Sequence, residues 1–403
     1  MMIKVIHRTK HTLLKNVLLF SAIFVPFLFV SGCGDRIEIN DLAIVTAAAI
    51  DKSDNGQVEL AIEIVVPKSI GSSQGARGGD GGQATTVRSK KGDNLSDALS
   101  KLQADLPRKV FWGSCKVFIF GEGIAKDGIQ DHLDFLVRDP LPRERAYVFV
   151  SEGEAKPFIR HEVPIERNPA EMIREITVRG SVIGVTLMEL DEMMANEDYS
   201  ANLPYLTIKE EETSDGTLSE LPNINGTAMF RKDKMVGVLT ESTTRGLLWL
   251  KDRIKEATIN MTPENVTGDI SMTQIKSKVN LTPKISGGEW IMMIKVKTEG
   301  VVVQNSTVLN LDDPKQVKLI EKAFGKQIEN RMRKAIEESQ GMKVDAAHFG
   351  KEFHRKYPKQ WKKVKNHWEE EVFPEVKVEF VIDAHIRSRG FVDKSIRERG
   401  SGK

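Results

Sequence analysis

Residues 289–340 read EWIMMIKVKTEGVVVQNSTVLNLDDPKQVKLIEKAFGKQIENRMRKAIEESQ, and two periods meet in that stretch. Trp290, Met292, Ile294 and Val296 recur at every second position, the pattern of a strand with one buried face. After Asp312-Asp313-Pro314 the period changes. Val317, Ile320, Phe324, Ile328, Met332 and Ile336 recur every three or four residues, predicting one long helix that ends near Gln340, with acidic residues near its positive end. A stripe of that length needs a sheet or a partner helix to cover it. Upstream, Ser271–Ile285 predicts a strand joined to Glu289–Thr298 across Ser286-Gly287-Gly288. Downstream, two shorter helices and a final strand over Val376–Ile386 complete a unit of helices on a sheet.

Working toward the N-terminus, Leu42–Asp51 and Gln57–Val66 predict a hairpin around Asp54-Asn55-Gly56. Asp51, Ser53 and Asn55 before Gly56 look like the start of a calcium loop. The twelfth position is Ile62 rather than Glu, so turn chemistry explains them better. Gly71–Gly82 (GSSQGARGGDGG) lacks the Lys-Ser/Thr and the helix of a phosphate cradle and predicts a flexible loop. Asn94 caps a helix with Leu95, Ala98, Leu99 and Leu102 on one face. Strands over Cys115–Gly121 and Arg145–Ser151 flank a second helix, and Asn168-Pro169 opens another. Strands separated by helices indicate a mixed α/β layer. Short strands over 203–209, 226–231 and 234–240, followed by a compact helix over 245–252, set a smaller block apart. The expected fold is therefore α+β (mixed α/β), with three domains over residues 33–196, 197–263 and 264–403, each a β-sheet covered by helices.

Residues 1–32 are of another kind. They hold Lys4, Arg8, Lys10 and Lys15 and no acid, followed by the 14-position run VLLFSAIFVPFLFV over 17–30. That run is short for a spanning helix, which needs about 20 residues, but suits the core of an export signal. Ser31-Gly32-Cys33 follows and resembles a bacterial lipobox, with cleavage after Gly32 and lipid on the Cys33 thiol. The alternative is an uncleaved anchor helix with Cys33 an incidental thiol. No later segment is apolar enough to span a bilayer, so the body is expected to be soluble and outside the membrane.

Length and composition exclude several classes. A chain of 403 residues, 40% hydrophobic and 29% charged, has core material for two or three domains. Lys and Arg total 59 against 57 Asp and Glu. Removing the four cations of the leader leaves 55 against 57, so no strong field selects nucleic acid. Cys33 and Cys115 are the two cysteines, too few for a disulfide framework or a thiolate zinc site. The eight histidines form no metal spacing: His348 and His354 lie six apart. No metal and no cofactor is expected. Cys115 opens a core strand, and a nucleophile role beside His132 lacks an organising Asn or Asp. No Gly-x-Ser-x-Gly elbow occurs. Hence no catalytic residue is assigned.

One segment of the body stands out. Lys351–Lys365 (KEFHRKYPKQWKKVK) carries Lys351, Arg355, Lys356, Lys359, Lys362, Lys363 and Lys365 against a single acid, interleaved with Phe353, Tyr357 and Trp361. Three readings compete. Trp361, Val364 and Trp368 share a helical face and pack on the sheet, leaving the lysines solvated; or the basic face meets a membrane or partner surface; or, least suited to an exported protein, it binds nucleic acid.

Cys33-Gly34-Asp35-Arg36 with IEINDL over 37–42, GEGIAKDGIQDHLDFLVRDP over 121–140, Gly226–Val238, RGLLWLK over 245–251 and HRKYPKQWKK over 354–363 into Trp368 and Phe373-Pro374 together resemble the Ger(x)C family. These are the lipoprotein C subunits of bacterial spore germinant receptors. Family members commonly carry Trp after the lipid cysteine, whereas this chain has Gly34. The resemblance implies a three-domain mixed α/β protein without enzymatic activity, working beside integral membrane subunits of a nutrient receptor. It would sit on the outer leaflet of the spore inner membrane, with Cys33 as N-palmitoyl, S-diacylglycerol cysteine. It does not name the nutrient. The rival from another class is a lipid-anchored solute-binding protein of a transporter, which would show repeated βα units in two similar lobes.

Overall fold

The computed structural model describes residues 38–66, 85–138, 142–160, 163, 166–180, 182–195, 200–212, 218–255 and 257–388. The proposed leader, Cys33 and the Gly71–Gly82 loop lie outside them. In chain order the strands are β1 (Leu42–Lys52), β2 (Val58–Val65), β3 (Thr85–Gly92), β4 (Lys109–Phe111), β5 (Val117–Gly121), β6 (Tyr147–Ser151), β7 (Asn202–Glu212), β8 (Leu218–Arg231), β9 (Lys234–Thr240), β10 (Ala257–Met261), β11 (Ile270–Ser286), β12 (Glu289–Asn305) and β13 (Lys377–Ser388). The helices are α1 (Leu95–Asp105), α2 (Glu122–Asp127), α3 (Gln130–Arg138), α4 (Pro169–Val178), α5 (Leu187–Ala195), α6 (Glu241–Leu250), α7 (Pro314–Gly341), α8 (Phe349–Lys356) and α9 (Pro358–Val364).

The first sheet runs β3-β2-β1-β5-β6-β7-β8-β9, with β4 on β1. Its centre, β1-β5-β6-β7, is parallel, and the flanking hairpins are antiparallel. A parallel strand covered on both faces reads as a continuous apolar run rather than an alternation. β1 does so: Val45 and Ala47 to Ile50 have no exposed surface. Ala48 and Ile50 point into one core with Phe118 and Phe120, while Ala47 and Ala49 point into another with Ile119, Phe149 and Ile173 of α4. Caps begin the helices where the sequence places them. The Asn94 side chain accepts from Asp97 N, and Asn168 accepts from Glu171 N ahead of Pro169. Asn55 takes φ 62° in the first turn, in keeping with the Asp-Asn-Gly signal.

Of the block expected at 197–263, β7, β8 and β9 belong to this same sheet, while β10 joins the second. β7 pairs with β6 through Val150↔Tyr205 and Ser151↔Leu206, and β8 and β9 follow as hairpins. The change of pattern near 197 thus marks a switch from helix-separated to hairpin-joined strands within one sheet. Pairing with β7 covers an edge that β6 would otherwise leave open.

The second sheet is β10-β11-β12-β13. β11 and β12 pair from Ser286↔Glu289 to Ile270↔Asn305, and β13 returns parallel to β12 from Ile291↔Lys377 onward. β12 is longer than expected, continuing past Thr298 to Asn305. α7 opens at Pro314, capped by Asp313, and ends at Gly341. Ile320, Phe324, Ile328, Met332 and Ile336 are buried as the period requires; Val317 is half-buried. α7 packs on β13 and β10 and also against α6, so it joins the second sheet to the first. At the α6–α7 crossing a Cβ on Gly246 would strike the Arg331 carbonyl oxygen, so only glycine permits that approach. One continuous core includes Phe118 and Leu239 of the first sheet, Leu247 and Trp249 of α6 and Met292 of the second sheet. Residues from Ala43 onward form one compact unit.

Candidate functional site

The basic segment is built around aromatic rings. α8 and α9 are separate short helices, divided at Tyr357-Pro358, where proline begins α9 and removes a backbone donor. Phe349, Phe353, Trp361, Trp368 and Phe373 are buried, and Trp290 of β12 is half-buried beneath them. Trp290 meets the Phe353 ring at 4.8 Å and Trp368 at 5.5 Å, both edge-on; Trp361 lies 5.0 Å from Trp368. The helix does not continue to Trp368, as one shared face for Trp361, Val364 and Trp368 had required. It breaks after Val364, and Trp368 instead gives its indole N–H to Asp345 at 2.9 Å. Asp345 also accepts from Phe349 N at 2.9 Å and Gly350 N at 2.6 Å, which holds the start of α8.

This packing divides the seven cations. Arg355 pairs with Glu352. Lys356 donates to the Pro283 carbonyl of β11 at 2.7 Å and lies 5.4 Å from the Tyr357 ring. Lys351 is exposed at the rim of one cleft, and Lys365 is half-buried beside another. Lys359, Lys362 and Lys363 are exposed on α9. Of the three stacking aromatics of the nucleic-acid reading, Phe353 and Trp361 lie inside the core and Tyr357 is half-buried.

Beside the aromatic cluster lies a polar junction that sequence reasoning missed. Lys251, at the C-terminal cap of α6, donates to the Ala346 carbonyl at 2.9 Å and to Asn202 Oδ1 at 3.3 Å, and stands 3.2 Å from His348 Nε2. Glu369 accepts from Ser200 and from Asp345 N. Burial pushes Lys251 down to about 7, with Arg253 adding to the effect. Burial holds His348 well below its usual range and raises Asp345 and Glu369. Ser200 and Asn202 stand at the head of β7, so the junction ties the first sheet to the helical layer of the second. Lys251 is the last residue of RGLLWLK, yet nothing in its spacing announces a buried amine.

A cleft of about 510 Å³ opens over Lys251 and His348, rimmed by Glu189, Arg253, Glu352 and Arg355. Four of its charges form pairs, Arg253 with Glu189 at 2.9 Å and Arg355 with Glu352. The Cys115 thiol is buried, and burial pushes it up to about 12, far from a nucleophile's range. His132 is lowered by burial and sits 6.5 Å from the Phe120 ring. Asp51, the first residue of the apparent calcium loop, accepts from Ala155 N and Lys156 N instead. Among the described residues no three His, Cys, Asp or Glu side chains gather as a metal site, and no helix is long and apolar enough to cross a membrane.

The comparisons with known proteins agree on one family. Residues 35–208 match the spore germination protein N-terminal domain, and residues 225–390 match the spore germination B3/GerAC-like C-terminal region. Spore germination protein KC of Bacillus subtilis (strain 168) is 26% identical over 404 residues, covering 96% of this chain and 98% of that protein. Putative spore germination protein YfkR of the same organism is 28% identical, covering 92% and 96%. The crystal structure of the GerBC protein shares the fold, with a TM-score of 0.55 at 20% identity over 84% of this chain and 96% of that one.

Proposed function

The chain belongs to the spore germination B3/GerAC-like family, the C subunits of germinant receptors, and from that premise we propose that it is the lipid-anchored C subunit of a nutrient germinant receptor. One observation carries the reading: the two family matches, one on each side of residues 209–224, account for nearly the whole chain beyond the leader. Cys33 is the anchor, exposed by cleavage after Gly32 and carrying diacylglycerol on sulfur and an acyl chain on the new amino group. A single chain binds a bilayer marginally at about 0.8 kcal/mol per buried methylene, whereas three hold firmly. The protein then stays on the outer leaflet of the spore inner membrane, beside integral membrane subunits.

Its contribution is association rather than catalysis. The buried thiol, the inward-facing His132 and His348 and the Arg253–Glu189 and Arg355–Glu352 pairs of the cleft support that reading. The solute-binding alternative called for two similar lobes of repeated βα units; an eight-strand path with hairpin edges beside a four-strand sheet does not resemble that plan. The test is Cys33→Ala in spores. Loss of acyl labelling, release from membranes and a germination defect are expected. Normal nutrient response by a fully released protein would overturn the role of the anchor.

A further inference from the structure

We propose that the exposed face of α9, formed by Lys359, Lys362 and Lys363, lies against an anionic phospholipid surface. The proposal rests on the lipid-anchored reading above and adds to it a second, electrostatic contact with the bilayer.

Positions 359, 362 and 363 are spaced i, i+3, i+4, so the three ammonium groups share one side of the helix. The opposite side is fixed by Trp361, whose ring stacks on His354 at 5.7 Å and fits over Gly350, where a Cβ would stand 2.7 Å from it. Among the described residues none of the three lysines has an ion pair or side-chain hydrogen bond. Glu352 pairs with Arg355, Glu289 with Lys377, Glu369 turns inward on Ser200, and Glu371 lies 3.9 Å from His367, while Glu370 is exposed after α9. Lys356 ties the α8–α9 junction to the Pro283 carbonyl of β11.

A rigid helix with three unneutralised lysines is the complement of a negative surface, and each lysine near anionic headgroups contributes about 1 kcal/mol. Burial of Phe353 and Trp361 leaves only the half-buried Tyr357 of the interleaved aromatics, short of the succession of stacking rings that single-stranded nucleic acid would need. A bilayer surface asks only for charge.

The test uses the chain from Gly34 onward, which contains the whole compact unit, mixed with vesicles of phosphatidylglycerol and phosphatidylcholine or of phosphatidylcholine alone. Binding to the anionic vesicles, weakened by salt, and none to the neutral ones are expected. Each single Lys→Gln change on α9 should weaken partition about fivefold, and K359Q/K362Q/K363Q on the order of a hundredfold. The matched variant K278Q/K295Q/K297Q removes the same charge from exposed positions of the second sheet and should retain binding. Circular dichroism checks that all variants are folded. Equal loss in both triple variants, equal binding to neutral vesicles, or no binding by the unaltered chain would overturn the proposal. Acylation of Cys33 in the full chain is read separately, so failure of the anchor and failure of this face are distinguishable.

Discussion

Lys251 Nζ and His348 Nε2 face each other at 3.2 Å, an amine and an imidazole brought together from positions 97 residues apart. His348 is held in a left-handed conformation at φ 59°, and Lys251 reaches Asn202 of β7 and the Ala346 carbonyl from the end of α6. Two like-signed bases this close cannot both be charged cheaply, and burial lowers both.

The Lys251 junction sets a pH dependence. Its folded value, about 7, lies below its ordinary 10.5, so the folded chain binds fewer protons than the unfolded chain between those limits. Lys251 therefore makes stability rise with pH from about 7 to 10.5. Lys251→Met should remove that rise while costing about 1–3 kcal/mol near pH 9, where the Ala346 carbonyl loses its donor. Urea denaturation at pH 7.5 and 9.5 measures both. The same pH slope in both proteins would contradict a buried, lowered amine.

Glu63 acts with the opposite sign. It lies wholly inside the first sheet, accepting from Thr46 at 2.5 Å and Thr85 at 3.0 Å, and burial pushes it up to about 7 from 4.5. The folded chain holds a proton there that the unfolded chain has released, so stability falls as pH rises from about 4.5 to 7. Glu63→Gln keeps the shape without the charge. It should be more stable than the parent at pH 8 by about 1–3 kcal/mol, with the gain gone by pH 4.5. Denaturation midpoints at the two pH values check it.

Gly246→Ala reverses the usual helix preference. Alanine favours an exposed helix interior by about 1 kcal/mol over glycine. Here its Cβ meets the Arg331 carbonyl and comes within 3.1 Å of the Ala335 Cβ, so α6 and α7 must separate. A net loss of about 1–3 kcal/mol is expected, read as a lower melting temperature.

Trp368→Phe keeps most of the ring and removes the N–H given to Asp345. The buried carboxylate retains only its two backbone donors, and a loss of about 1–3 kcal/mol follows. Thermal unfolding of this variant beside Trp290→Phe, at a half-buried ring, separates the hydrogen bond from ring volume.

Much of the fold was legible because local signals and burial agree. The Asp-Asn-Gly turn, the Asn94 and Asn168 caps and the α7 stripe each arise from neighbouring residues, and the structure keeps them. Long-range relations were not legible. Nothing in 197–263 says that β7 pairs with β6, because that pairing depends on an edge supplied some 50 positions earlier. The polar junction was hidden for the same reason: Ser200, Lys251, Asp345 and Glu369 come from four separate stretches. The basic segment was visible as composition, but only packing shows which lysines remain outward. The Cys33 expectation rests on the leader alone and lies outside the described residues.

The most direct measurement is fractionation of membranes from cells making the full chain with Cys33 or with Cys33→Ala, with radiolabelled palmitate present. An acylated protein that remains with the membrane through a high-salt wash, and an unlabelled variant that leaves it, are the predicted results. Salt is chosen because it strips electrostatic contacts and leaves acyl chains buried. An unlabelled Cys33 protein, or a Cys33→Ala variant equally retained after the wash, would contradict the lipid anchor.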